Sequence, residues 1–276
     1  MLPDFIIAGA PKSGTTTLVD VLRKHPIVFF PKKLTAETHF FDNDKYYQKG
    51  VEFYKQWFKE AKPNQIVGEK TPAYSFSYVP ERIAKYLPNV KLIFVFRNPA
   101  DRAYSHWLMY VWRGVELYSF EKALSLEERR LKKHPMWGYK EQGKYIKVLE
   151  NYLKYFPKEQ LLILIFEELI SDPNTNLKRI TDFLQIEKMR KIQLPHKMKA
   201  QFPKFKILQY FCRYICDNIW PKRYGVELFK ICQRFNKRKV HPSMDKNTRE
   251  YLIDYFKDYN TRLEEFLGRE IVVWHK

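Results

Sequence analysis

The sequence predicts an α/β fold: a P-loop-like, three-layer arrangement with a central parallel β-sheet flanked by helices, plus a basic helical elaboration late in the chain. Three observations carry this. Short apolar runs at residues 5–8, 65–68, 91–96 and 161–166 alternate with amphipathic stretches, the rhythm of βα units feeding a parallel sheet buried on both faces. Residues 5–18, FIIAGAPKSGTTTL, pass from an apolar run through a Gly-rich turn into a helical pattern. Residues 187–241 break the rhythm and carry fifteen Lys/Arg against three acids, a net +12 of the chain's +19.

Taken in order, the first run leads through the Gly-rich turn into a helix reaching residue 24. Helical spacing recurs near 51–60, 79–86, 99–112, 120–133, 145–156, 174–184 and 246–267. The run LLILIF at 161–166 is apolar throughout, as a central strand requires. Asp172 and Asp245 are N-cap candidates, and Gly268 is a C-terminal stop. In 187–241, Ile207, Tyr210, Phe211, Tyr214, Ile215 and Ile219 recur at helical spacing and are expected to face a core rather than a membrane. We read residues 1–276 as a single domain, with 187–241 a basic, mainly helical insertion.

With 276 residues, 17% aromatic and 45% hydrophobic content, the chain can bury a large core. No apolar stretch approaches the ~20 residues of a membrane span, and no signal-peptide pattern follows Met1. Cys212, Cys216 and Cys232 do not form a disulfide framework or a zinc spacing, so a reducing compartment and no metal are expected. The concentrated positive charge points to a polyanionic partner: nucleotide, acidic glycan, nucleic acid or anionic membrane surface. A solvated basic face is the plainer alternative.

Four segments are placed to meet at the carboxyl ends of the strands, where open α/β sheets bind ligands. The first is the turn with Lys12, Ser13, Gly14, Thr15, Thr16 and Thr17, a phosphate cradle in which loop N–H groups and the positive end of a helix dipole converge. Gly9 and Gly14 bracket four residues as in a nucleotide P-loop, but Thr15 stands where that loop has its lysine, and the lysine is at 12. The second is Glu37-Thr38-His39-Phe40-Phe41-Asp42, where Glu37 and His39 alternate and, in an extended segment, share a side. They can serve as general base and orienting partner, or be an exposed Glu and a packed His. The third is residues 68–74, GEKTPAY, a charged loop after a strand. The fourth, KLIFVFRNPADRAYSHW at 91–107, ends a buried strand in Arg97 and places Ser105 on the next helix, suited to phosphate capture; Arg97 could instead pair with Asp101.

The ordered set PKSGTTTL, ETHFFD, EKTPAY and FRNPADRAYSHW resembles the sulfotransferases that use 3′-phosphoadenosine 5′-phosphosulfate (PAPS), in the style of the heparan-sulfate and other glycan enzymes. Residues 145–186 and the C-terminal 241–271 agree, so the resemblance leaves out only about 188–236. It implies that Lys12 and residues 13–17 hold the 5′-phosphosulfate, that Arg97 and Ser105 bind the 3′-phosphate, and that Glu37 is the general base. His39, Asp42 and Lys70 match residues supporting the acceptor site. Lys237, Arg238 and Lys239 match a phosphate-covering loop, with Arg238 where the family has Gly. Trp220 is the candidate for stacking on adenine. Val148 stands where the N-sulfating relatives carry His, which favours O-sulfation.

The implied reaction is sulfuryl transfer from PAPS to an acceptor hydroxyl on a glycan or glycolipid, acidic ones included, releasing 3′,5′-ADP. A small-molecule or lipid acceptor is an alternative. A P-loop kinase or NTPase is another, disfavoured by the missing lysine at 15. A nucleic-acid-binding module rests on charge alone, with no zinc or RNP-like motif. Animal enzymes of this style usually carry an N-terminal anchor; a chain without one fits a soluble, cytoplasmic bacterial-type enzyme or a trimmed lumenal catalytic domain.

Overall fold

The structure is a computed structural model and describes residues 1–32, 37–189, 201–219, 222–238 and 242–275. The described residues within Met1–Asn98, Lys144–His196 and Asp258–Lys276 form one compact unit, and those within Pro99–Gly143 and Lys197–Lys257 a second.

The first unit holds a five-stranded, wholly parallel sheet: β1 (Phe5–Gly9), β2 (Val28–Phe29), β3 (Ile66–Lys70), β4 (Lys91–Phe96) and β5 (Leu161–Ile165), in the order β2-β3-β1-β4-β5. Period-2 alternation splits each strand between two apolar layers. Ile6 and Ala8 of β1, with Leu92, Phe94 and Phe96 of β4, join one layer with Tyr54, Tyr74 and Tyr152. Phe5, Ile7, Ile93 and Val95 join the other, with Leu18, Val19 and Leu22 of the first helix. The chain goes outward to β2 and β3, then crosses β1 to β4, so the order reverses beside β1. That crevice at the strand carboxyl ends is where this topology binds ligands.

Helix α1 (Thr15–Leu22) follows β1 directly. The pair α2 (Asp44–Tyr47) and α3 (Gly50–Lys55) precedes β3, and α4 (Val79–Tyr86) precedes β4. The two-residue β2 was not anticipated from the sequence. It pairs Val28 with Ile66 and Phe29 with Val67, and is too short to show a periodicity.

The second unit begins with α5 (Pro99–Trp112). The helix expected over 120–133 is two, α6 (Phe120–Ser125) and α7 (Glu127–Leu131), hinged at Leu126. In the first unit α8 (Tyr145–Tyr152) precedes β5, and α9 (Phe166–Ser171) and α10 (Pro173–Leu184) follow it. Asp172 caps α10 through the Thr175 amide at 3.2 Å, as expected of that residue.

The elaboration is a pair of helices in the second unit, α11 (Lys206–Asn218) and α12 (Lys222–Phe235), followed by α13 (Lys246–Leu267). The expectation that Ile207, Tyr210, Phe211, Tyr214, Ile215 and Ile219 face a core is overturned: they are 37–67% exposed. The buried face of α11 is a polar one. Gln209 donates to the Trp112 carbonyl at 2.8 Å and accepts from Asn236 at 2.9 Å, and Gly225 lets α12 approach the backbone of Cys216. With those contacts fixing the rotation of α11, its apolar stripe turns outward.

Candidate active site

The cradle follows β1. Lys12 and Gly14 both have left-handed backbones, φ 68° and 83°, and such a turn presents successive N–H groups to one point. Gly14 is required there. A Cβ would lie 2.4 Å from the Phe166 ring, in a conformation that L side chains rarely adopt. No side chain caps α1, so its first N–H groups stay available for an anion. The Ser13 hydroxyl is fully buried and has no hydrogen-bond partner among the described residues. These features fit a phosphate- or sulfate-bearing ligand and would be costly without one.

Glu37, Lys70 and His39 form an ionic cluster beside the cradle. Lys70 is the last residue of β3, and its side chain is 1% exposed. It lies on the α1 side of the sheet, where its Nζ donates to Glu37 Oε1 and reaches Thr16 Oγ1 at 3.3 Å. His39 Nε2 lies 3.3 Å from Glu37 Oε2, and its Nδ1 lies 2.9 Å from Asp42 Oδ2. Glu37 and His39 do meet, but not through an extended strand: His39 has φ 51°, and the chain turns there.

The charges set the protonation states. Burial pushes the Glu37 carboxyl up, but the His39 hydrogen bond and the Lys70 ammonium outweigh it, and the net direction is down. Hydrogen bonds to Asp42 and then Glu37 outweigh burial at His39 and raise it to about 10. At neutral pH the site therefore holds a carboxylate between two cations. Asp42 keeps its Oδ1 buried without a hydrogen-bond partner among the described residues.

Behind this cluster is a residue that the sequence reading passed over. Glu69, fully buried on the opposite face of β3 from Lys70, accepts from four hydroxyls: Thr38, Tyr54, Thr71 at 3.0 Å and Tyr74 at 2.7 Å. Burial raises its carboxyl, with the hydroxyls opposing. Because Thr38 stands between Glu37 and His39, Glu69 fixes the turn that carries both. The signal was available: in E-K, strand alternation sends one charge to each face of the sheet.

Arg97 follows β4 and is tied to the cradle. Its guanidinium lies 5.3 Å over the Phe166 ring and 3.4 Å from the Lys12 carbonyl, while its own carbonyl accepts from Tyr145 at 2.8 Å. Ser105 is partly buried on α5 in the second unit, where Asp101 accepts from Arg249 at 2.6 Å. Lys237 and Arg238 are exposed after α12; Lys237 bridges to Pro203, and the Arg238 amide donates to the Phe202 carbonyl at 2.8 Å. Trp220 and Lys239 lie outside the described residues. Among the described residues no group of His, Cys, Asp or Glu is arranged to hold a metal, and no helix is long and apolar enough to cross a membrane.

A sheet with its crevice beside β1, an anion cradle and an ionised carboxylate next to it define a group-transfer enzyme acting on an anionic donor. The sulfotransferase domain profile matches residues 2–263, and the chain belongs to that family as a PAPS-dependent sulfotransferase. It is 32% identical over 277 aligned positions to heparan sulfate glucosamine 3-O-sulfotransferase 5 of Mus musculus, covering 98% of this chain and 73% of that one. The Homo sapiens protein of the same name gives the same identity and coverage. Among solved structures, a sulfotransferase from Alicyclobacillus acidocaldarius shares the fold with TM-score 0.74 and 24% identity over the whole of both chains.

Proposed function

We propose that this chain transfers the sulfuryl group of PAPS to a hydroxyl of a glycan or glycolipid, with Glu37 as general base. The observation that carries the reading is Lys70, which contacts both Glu37 and Thr16 and so joins the base to the donor cradle. Bound PAPS supplies an activated sulfuryl group whose departure leaves 3′,5′-ADP. In this reading residues 13–17 hold the 5′-phosphosulfate through N–H and hydroxyl groups, and Lys12 neutralises charge on the departing side. Arg97 and Ser105 take the 3′-phosphate. Lys237, Arg238 and Lys239 cover the phosphates, and Trp220 stacks on adenine. We take residues 1–276 as one sulfotransferase domain.

Glu37, ionised, accepts the acceptor hydroxyl's proton at a carboxylate oxygen as that hydroxyl attacks sulfur. Protonated His39 orients the carboxylate, and Asp42 Oδ2, 2.9 Å from His39 Nδ1, holds that ring beside the acceptor site. A glycan acceptor is supported by the names of the two heparan sulfate relatives and by the net charge of +19, which suits an acidic polymer.

The test incubates labelled PAPS with a panel of glycans, glycolipids and small hydroxyl compounds. Label should move to a glycan class, and Glu37→Gln should lower transfer by about 10²–10⁴-fold while 3′,5′-ADP still binds. Wild-type protein that neither transfers label nor binds 3′,5′-ADP by calorimetry overturns the reading.

A further inference from the structure

We propose that the outer face of the α11–α12 hairpin seats this protein on an anionic lipid bilayer. The two helices meet through Gln209, Asn236, Cys216, Gly225 and Phe229, and leave large apolar side chains in water. Phe205 is 65% exposed, Ile207 and Ile219 67%, and Phe235 81%. Few soluble monomers expose so contiguous a set without a partner for it.

The exposed residues form one surface. On α11, Leu208, Cys212, Ile215 and Ile219 follow at intervals of four, three and four, a single stripe along the helix. On α12, Leu228, Ile231 and Phe235, with Cys232 beside them, form the matching stripe. The Asn236–Gln209 hydrogen bond at 2.9 Å and the close approach of Gly225 to the Cys216 backbone pack α12 against α11, which brings the two stripes side by side. Tyr210 and Tyr214 widen the α11 face with rings that carry a polar tip, as bilayer interfaces favour.

Charge identifies the occupant. Residues 204–239 hold ten Lys/Arg against two acids, a net +8. Lys204 stands just before α11, and Arg234 on the last turn of α12, both exposed. An apolar strip flanked by cations is what inserts at the headgroup boundary of an anionic leaflet. A second copy of this chain would set +8 against +8 around the same strip. The hairpin lies in the membrane plane rather than through it, since among the described residues no helix is long and apolar enough to span.

The experiment is vesicle flotation with the full chain, without donor or acceptor, so it does not depend on the assigned reaction. Two vesicle types are used: phosphatidylcholine alone, and phosphatidylcholine mixed with phosphatidylserine. The protein should float with the mixed vesicles and not with the neutral ones. A triple variant, Ile215→Ser, Ile231→Ser and Phe235→Ser, should bind at least about tenfold more weakly while melting at the wild-type temperature, because all three side chains are exposed. Undiminished binding by the triple variant would mean charge alone is at work and overturns the proposal. So would a wild-type dimer in sedimentation velocity that the triple variant abolishes, with no flotation.

Discussion

Lys70 Nζ bridges the Glu37 carboxylate and the Thr16 hydroxyl, so one buried ammonium touches both the candidate base and the first turn of α1. Removing one partner of such a pair leaves the other uncompensated. Lys70→Met should lower the transfer rate by about 10²-fold or more, weaken 3′,5′-ADP binding far less, and shift the acid limb of the rate profile upward as Glu37 loses its cation. A variant with wild-type turnover and an unmoved acid limb would remove Lys70 from the chemistry.

The pH behaviour follows from opposite shifts. His39 is raised to about 10 from an ordinary value of 6.5. Its contribution to stability is complete below 6.5 and is lost as pH rises through about 10. Glu37 is lowered, so its contribution is present above the ordinary carboxylate range and is lost only as pH falls through the depressed value. Imidazole NMR should show His39 protonated at pH 8. Melting temperature between pH 7 and 10 should fall more for the wild type than for His39→Gln. A neutral ring at pH 8 contradicts the arrangement.

Gly14 faces Phe166 so closely that an added methyl has no room, on top of the left-handed backbone. Gly14→Ala should cost about 1–2 kcal/mol from the backbone alone and displace Phe166, on which Arg97 stacks. We expect 3′,5′-ADP affinity to fall by an order of magnitude or more, read by calorimetry. Adding Phe166→Leu should recover part of the loss. Full affinity in Gly14→Ala would mean the cradle does not hold the donor.

Glu69 gathers four hydroxyls, and its carboxyl is raised by burial. A raised carboxyl favours folding most when protonated, and that contribution declines as pH rises through the shifted value. Glu69→Ala should cost about 3–5 kcal/mol in denaturant unfolding, with the hydroxyls left unmatched. Glu69→Gln should cost less and flatten the pH dependence above the ordinary carboxylate range. Equal losses in the two variants would place the effect in packing rather than hydrogen bonding.

Much of this was legible in the chain. The apolar runs located four of the five strands to within about two residues, because buried parallel strands need continuous apolar character. The strand, turn and helix over residues 5–22 were legible because left-handed turns and uncapped helix starts constrain residue type. Three features were not. The turn through which Glu37 and His39 meet depends on a positive φ at His39, which a non-glycine residue does not announce. The role of Glu69 depends on Tyr54 and Tyr74, which lie on either side of it in sequence but converge only in the folded core. The outward rotation of α11 depends on Gln209 and Asn236, polar residues whose burial no hydropathy pattern predicts.

The turn from Thr38 to Phe41 has no regular secondary structure, yet its amides are engaged by side chains. Thr38 N–H donates to Thr71 Oγ1 at 3.2 Å, Phe40 N–H to the Tyr74 hydroxyl at 3.1 Å, and Phe41 N–H to the same hydroxyl at 3.3 Å. Their exchange with deuterium should thus be as slow as that of strand amides, and that of Phe40 and Phe41 should accelerate together in Tyr74→Phe. An irregular loop beside the candidate base would then keep time with the sheet, and its isotope uptake would report whether Glu37 is still held in place.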